Sequence, residues 1–205
     1  MTKGRLEAFR DGVIAIIITI TILLIDLPDG NEWADLMAIM PLVGCYLISF
    51  ILVGTNWVNH HHLLQVTQEV NGKVLWANLL FLFLLSFAPV STGWVGKSDF
   101  AMIPVRVYVA LNLACALSYL LLEKTIIHSS DCDVLKAAVD ESRKELWTIS
   151  IEVLAQALSF IPGAHYASCP LLVVAVAPWI IPDLRMKRVF EEARKLKDQT
   201  GNQEK

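Results

Sequence analysis

The sequence predicts an all-α membrane protein with six transmembrane helices, and three observations carry that prediction. Apolar residues fill 55% of the 205 positions and mean hydropathy is +0.54. Charged residues make up 18%, against about 25% in a soluble domain. The charges also leave long gaps, from Asp35 to Glu69, Lys73 to Lys97 and Glu152 to Asp183, each longer than the ~20 residues that cross a bilayer. This pattern excludes a soluble single-core enzyme and a disordered chain. A net charge of −3 with no dense basic tract argues against a nucleic-acid binder.

Taken in order, the first span runs from Leu6 to Leu27 and ends at Pro28-Asp29-Gly30-Asn31. The second covers Leu36 to Leu64. After the Asn71-Gly72 break a third extends from Val74 to Val95, and a fourth from Phe100 to His128. A polar stretch, Ser129 to Arg143, reads as a loop with a short amphipathic turn. The fifth span, Glu145 to Ile161, is stopped by Pro162-Gly163, because proline cannot continue the hydrogen-bond ladder. The sixth spans Tyr166 to Ile181, and a charged tail over 183–205 follows, helical from Arg185 to Lys197. The runs are continuous, and only helices or closed barrels satisfy the backbone in lipid, so strands are not expected. The whole chain reads as a single six-helix domain.

Met1 to Asp11 is charged, and the apolar run behind it has no small-residue cleavage site, so the first stretch is expected to remain as a span. An even number of spans puts both termini on one side. That side collects Lys3, Arg5, Arg10, Lys73, Lys124, Lys136, Arg143, Lys144 and the basic residues of the tail, leaving only Lys97 and Arg106 for the other. The positive-inside rule places the termini in the cytoplasm of a cell-membrane protein. Cys45, Cys115, Cys132 and Cys169 show no CxxC spacing and read as small buried hydrophobes.

The first helix carries the most information. Arg5, Phe9, Ile16, Ile20 and Leu23 fall on one stripe, with Thr19 about 60° to the side of Ile16 at ~100° per residue. Periodicity alone favours a lipid-facing or helix-packing stripe. The alternative is a pore wall whose aliphatic layers gate by dewetting. Asp11 points about 140° away, towards neighbouring helices.

Depth matching adds a second group. The alternating spans bring Asp11, Trp57, Asn59, His60-His61-His62, Trp76 and Asn78 to one level near the inner interface. Ionisable groups in a membrane are costly and usually paired, so Asp11 is expected to bond one of these histidines and Asn78. That cluster reads as a structural clamp first and a pH-sensitive group second. Consecutive histidines diverge around a helix, which argues against three converging on a metal. Glu152 stands alone in the fifth helix and reads as interfacial or paired. Arg106 and Asp99 could pair. No HExxH, Walker A, GxGxxG or GxSxG pattern marks an enzyme, and no cofactor is implied.

The opening Arg5-x-x-x-Phe9-Arg10-Asp11, followed by Gly-Val-Ile-Ala-Ile, resembles the Arg-x-x-x-Phe-Ser-Asp motif of the bacterial transmembrane protein 175 family, which includes the lysosomal potassium channel of animals. The likeness continues through Trp57-Val-Asn-His-His-His-Leu63, Asn71-Gly72, Trp76-Ala-Asn78, Pro89 and Thr92, then thins to Arg106 and Tyr108. It implies a homotetramer in which helix one of each subunit lines a central pore for potassium ions. It places constricting aliphatic layers at Ile16, Ile20 and Leu23 and a threonine layer at Thr19. Arg5, Phe9, Asp11, Trp57, His61 and Asn78 are then supports of the pore helix. Arg10 departs from the family's serine. At about 120° from the stripe it is expected to face headgroups rather than the pore, with Glu7 and Glu145 as candidate partners. Three readings follow: a passive potassium channel, a proton-coupled or proton-conducting transporter using Asp11 and His61, and a structural membrane protein without flux. The resemblance favours the first.

Overall fold

The computed structural model describes residues 3–66, 70–129 and 144–180. Within them the chain is all helical: α1 (Lys3–Ile22), α2 (Trp33–Val66), α3 (Gly72–Leu85), α4 (Ala88–Lys97), α5 (Met102–His128), α6 (Lys144–Leu158) and α7 (Ser168–Ile180), with a 3₁₀ turn at Ala164–Ala167 before α7. Trp33–His61, Gly72–Lys97 and Met102–His128 are each long and apolar enough to cross a membrane. The loop expected from Ser129 to Arg143 lies, from residue 130 on, outside the described residues, as do Cys132 and the charged tail.

Two departures from the sequence reading are the largest. The span expected from Val74 to Val95 is broken into α3 and α4 by a turn at Ser86 and Phe87. Pro89 is the cause: it lacks an N–H and sits in the first turn of α4, the one place where a helix does not need that donor. The first helix stops at Ile22 rather than Leu27. Its last turn tightens, with Leu24 N donating to the Thr21 carbonyl and Ile25 N to that of Ile22, so Leu23 lies in the turn beyond the helix.

Contacts at the two ends fix the alternation of direction. At one end Trp57, late in α2, reaches Asp11, early in α1. There Asn71 caps α3 by accepting from Val74 N at 3.0 Å and donates to Ser129 beyond α5 at 2.8 Å. At the opposite end an ion pair of 2.8 Å joins Asp26, after α1, to Lys97 at the end of α4. α6 and α7 run antiparallel as well, since Trp179 Nε1 donates to Thr148 Oγ1 at 2.8 Å.

Apolar side chains gain little by leaving lipid tails, so close packing and polar bonds between helices hold such a bundle. One apolar cluster joins Leu6, Ile14 and Ile17 of α1 to Val53, Phe81, Leu85, Tyr119 and Leu122. A second joins Cys45 and Leu52 of α2 to Val95, Val105, Ala155, Cys169 and Leu172. Between them, Ser49 Oγ lies 2.6 Å from Thr92 Oγ1 and 2.8 Å from the Tyr108 hydroxyl, tying α2 to α4 and α5. Cys45, Cys115 and Cys169 are buried as expected.

Candidate functional site

α1 has two unlike faces. Leu6, Arg10, Ile14, Ile17 and Thr21 are buried against α2, α3 and α4. Arg5, Phe9, Ile16, Thr19, Ile20 and Leu23 are all exposed on the protomer surface. The contrast is sharpest between neighbours: Ile16 is 59% exposed and Ile17 4%. The Thr19 hydroxyl donates to the Ala15 carbonyl at 2.8 Å, so its oxygen lone pairs are what it offers to the outside. Beside this stripe lies another of small residues, Gly4, Ala8, Gly12, Ala15 and Thr19, also exposed. Small residues at this spacing let a neighbouring helix approach closely.

The buried face is locked by a chain of hydrogen bonds. Asn78 on α3 accepts at Oδ1 from His60 Nε2 at 2.8 Å. An amide oxygen can only accept, so the ring proton sits on Nε2, and Nδ1 carries a lone pair. Arg10 Nη1 donates to that lone pair at 3.2 Å. The same guanidinium donates through Nε at 3.0 Å and Nη2 at 2.6 Å to Asp11 Oδ1, which also accepts from Trp57 Nε1 at 2.8 Å. The His60 ring packs on Phe81 with centroids 5.5 Å apart. Five side chains on three helices, Asn78, His60, Arg10, Asp11 and Trp57, thus join into one relay that meets the cost of burying Arg10.

This arrangement corrects several expectations. Arg10 faces neither pore nor headgroups: its side chain is 1% exposed, and Asp11 rather than Glu7 or Glu145 neutralises it. The direction of Arg10, about 120° from the stripe, is occupied by α2 and α3. Asp11 is 49% exposed and so is not buried among its own helices. The buried histidine of the relay is His60; His61, the expected one, stacks on Trp57 with centroids 6.1 Å apart. Asn78 bonds His60 rather than Asp11, which is held instead by Arg10 and Trp57. Arg106 does not hold Asp99. It donates to the Ser159 carbonyl at 3.0 Å and lies 4.5 Å over the Phe160 ring, because the end of α6 leaves carbonyls without helical partners. Among the described residues, no group of three or more histidine, cysteine or acidic side chains could hold a metal.

Residues 5–89 match the family profile described as the endosomal/lysosomal potassium channel TMEM175. A potassium channel of Chryseobacterium sp. (strain P1-3) is 44% identical over 193 residues, covering 94% of this chain and 100% of that relative. The crystal structure of a lysosomal potassium-selective channel TMEM175 homolog from Chamaesiphon minutus superposes with a TM-score of 0.76 at 26% identity, over 90% of this chain and 97% of that one. The endosomal/lysosomal proton channel TMEM175 of Mus musculus is 30% identical over 131 residues, 58% of this chain and 26% of that protein. The chain belongs to the TMEM175 family and is a multi-pass membrane channel rather than an enzyme.

Proposed function

We propose that the chain forms a homotetrameric, potassium-permeable channel whose central pore is lined by α1. One observation carries this reading: α1 is clamped to its own protomer by Arg10, His60 and Asn78, while Ile16, Thr19, Ile20 and Leu23 are turned outward. A lipid-facing helix needs no such clamp, whereas a pore helix must hold its radius. The small-residue stripe from Gly4 to Thr19 supplies the surface against which a neighbouring copy packs. Ile16, Ile20 and Leu23 act as hydrophobic constrictions, and Thr19 presents an oxygen layer between them. Arg5, Phe9, Asp11, Trp57, His61 and Asn78 then support the helix, with Arg10 and His60 joined to them.

Residues 1–205 work as one six-span domain, with both termini and the tail over 183–205 in the cytoplasm and the channel in the cell membrane. The basic residues on the terminal side support this orientation. Conduction is passive. A proton-coupled cycle at Asp11 is the weaker reading, because three donors already hold Asp11 Oδ1. The test is flux into proteoliposomes with potassium, sodium and caesium in turn, alongside the mass of the purified assembly. Potassium uptake without valinomycin by a tetramer is expected. A monomer, or a tetramer without flux, would sink the reading, and strict coupling to protons would favour the transporter.

A further inference from the structure

An open groove lies where the start of α3 meets the end of α5, and α1 contributes nothing to it. Lys73 and Trp76 stand on one wall, Lys124, Thr125 and His128 on the other, around a space of about 910 Å³. Its neutral polar groups are already used: Asn71 bonds Val74 N and Ser129, and the Thr125 hydroxyl donates to the Leu121 carbonyl at 2.6 Å. Both lysines are exposed, and neither makes an ion pair among the described residues. Glu123, beside Lys124 in sequence, is 7% exposed and turned into the protein. Among the described residues no carboxylate lines the groove.

Further along both helices the walls turn apolar. On α3, Leu80 and Phe83 follow Trp76 on the same face, one and two turns on, and all three are exposed, Trp76 to 75%. On α5, Leu121 and Leu117 share the face of Lys124 and His128 and are half exposed. The bond of Asn71 to Ser129 sets the start of α3 beside the end of α5, so the two walls change from cationic to apolar in the same direction. The change takes about 10 Å on each helix, at 1.5 Å per residue. A site for a soluble anion has no use for that exposed apolar strip. A phospholipid matches both parts, with its phosphate at the lysines and its chains along the helices. Tryptophan at this level is an interfacial anchor, and basic pockets between spans take anionic headgroups.

We propose that this groove is a binding site for one anionic phospholipid in each protomer, its phosphate held between Lys73 and Lys124. Trp76 packs on the glycerol region, and the acyl chains lie along Leu80 and Phe83 of α3 and Leu117 and Leu121 of α5. A zwitterionic lipid brings an ammonium group as well, which the two lysines repel. The site belongs to the inner leaflet in the orientation proposed above, while its charge and shape do not depend on that orientation.

The test is native mass spectrometry of the full-length channel in detergent, titrated with phosphatidylglycerol or phosphatidylcholine, with soluble glycerol 3-phosphate as a third arm. Each lysine beside an anionic lipid is worth about fivefold in affinity. Phosphatidylglycerol should fill one strong site per protomer, about tenfold or more tighter than phosphatidylcholine. Lys73→Gln combined with Lys124→Gln should weaken it about twenty-five-fold. Lys97→Gln, at the opposite end of the bundle, should leave it unchanged. Should the double variant not assemble, each single variant is expected to show its own loss of about fivefold. Equal affinity for the two lipids overturns the proposal, as does undiminished affinity in the double variant or in both single ones. An equal loss in Lys97→Gln overturns it too, since net charge alone would then be responsible. Glycerol 3-phosphate binding as tightly as phosphatidylglycerol rules out the lipid as the occupant. Lipid in micelles reaches both ends of the bundle, so the result is independent of orientation and of ion flux.

Discussion

Arg10 and His60 stand fifty positions apart in sequence, and they meet inside the protomer with Nη1 3.2 Å from Nδ1. The guanidinium is the hub of the relay, because only its planar fork can hold Asp11 on one side and the imidazole on the other. The position that departs from the family's serine is thus built into the clamp on α1.

Replacing Arg10 with serine should therefore loosen the protein without changing its conduction. The Nδ1 of His60 would lose its donor, and a buried acceptor left unmet costs about 1–3 kcal/mol per protomer. Asp11 would keep Trp57. The midpoint of thermal disassembly, followed by size-exclusion chromatography, should fall, while potassium flux per assembled channel stays as in the wild type. Altered flux at unchanged stability would put Arg10 at the pore.

The two neighbouring histidines should separate cleanly. His60→Ala removes both ring hydrogen bonds and the packing on Phe81, a loss of about 3 kcal/mol. His61→Ala removes stacking on a half-exposed Trp57 and should cost about 1 kcal/mol. Thermal melts of the two variants in the same detergent decide the order. Equal losses would mean that the relay does not run through His60.

Much of this was legible from the sequence, for identifiable reasons. Charge-free windows reveal spans because lipid tolerates few charges, and the alternation of spans brings Asp11, Trp57 and Asn78 to one depth. The outward stripe of α1 followed from helical periodicity. Which histidine turns inward was not legible. Successive residues differ by about 100°, and only the packing of α3 against α2 settles the phase. Arg10 was misread because periodicity gives an azimuth and not the neighbour that occupies it. The break before α4 did carry a signal, since Pro89 fits the first turn of a helix better than its middle. Arg106 answers helix-end carbonyls, and those become visible only once the end of α6 is known.

If α1 lines the pore, its two neighbouring isoleucines should give opposite phenotypes. Ile16→Asn places an amide on the exposed stripe, where it should lower the barrier to hydrated ions. Leak should rise and the preference for potassium over sodium should fall, with assembly preserved. Ile17→Asn buries the same amide in the apolar cluster with Val53 and Phe81, costing about 1–3 kcal/mol. That variant should lose assembled protein rather than selectivity. Proteoliposome flux with sodium and potassium, normalised to tetramer, reads both. An Ile16 variant with wild-type flux and selectivity would place the permeation path elsewhere.

The spacing of α2 and α4 offers a test from their close contact. A Cβ added at Gly96 would lie 2.8 Å from the Leu42 Cα, which is backbone and cannot rotate away. At Gly93 the nearest atom is a terminal methyl carbon of Leu24, at 3.0 Å, which can. Alanine gains about 1 kcal/mol over glycine in a helix, and overpacking costs about 1–3 kcal/mol. Gly93→Ala should therefore be close to neutral, because rotation of Leu24 removes most of the clash. Gly96→Ala should destabilise, because α4 must move off α2 and strain the Ser49–Thr92 hydrogen bond of 2.6 Å. Melting of the two variants should separate them by several degrees. If Gly96→Ala melts at or above the wild type, the approach of these helices is set by something other than this contact.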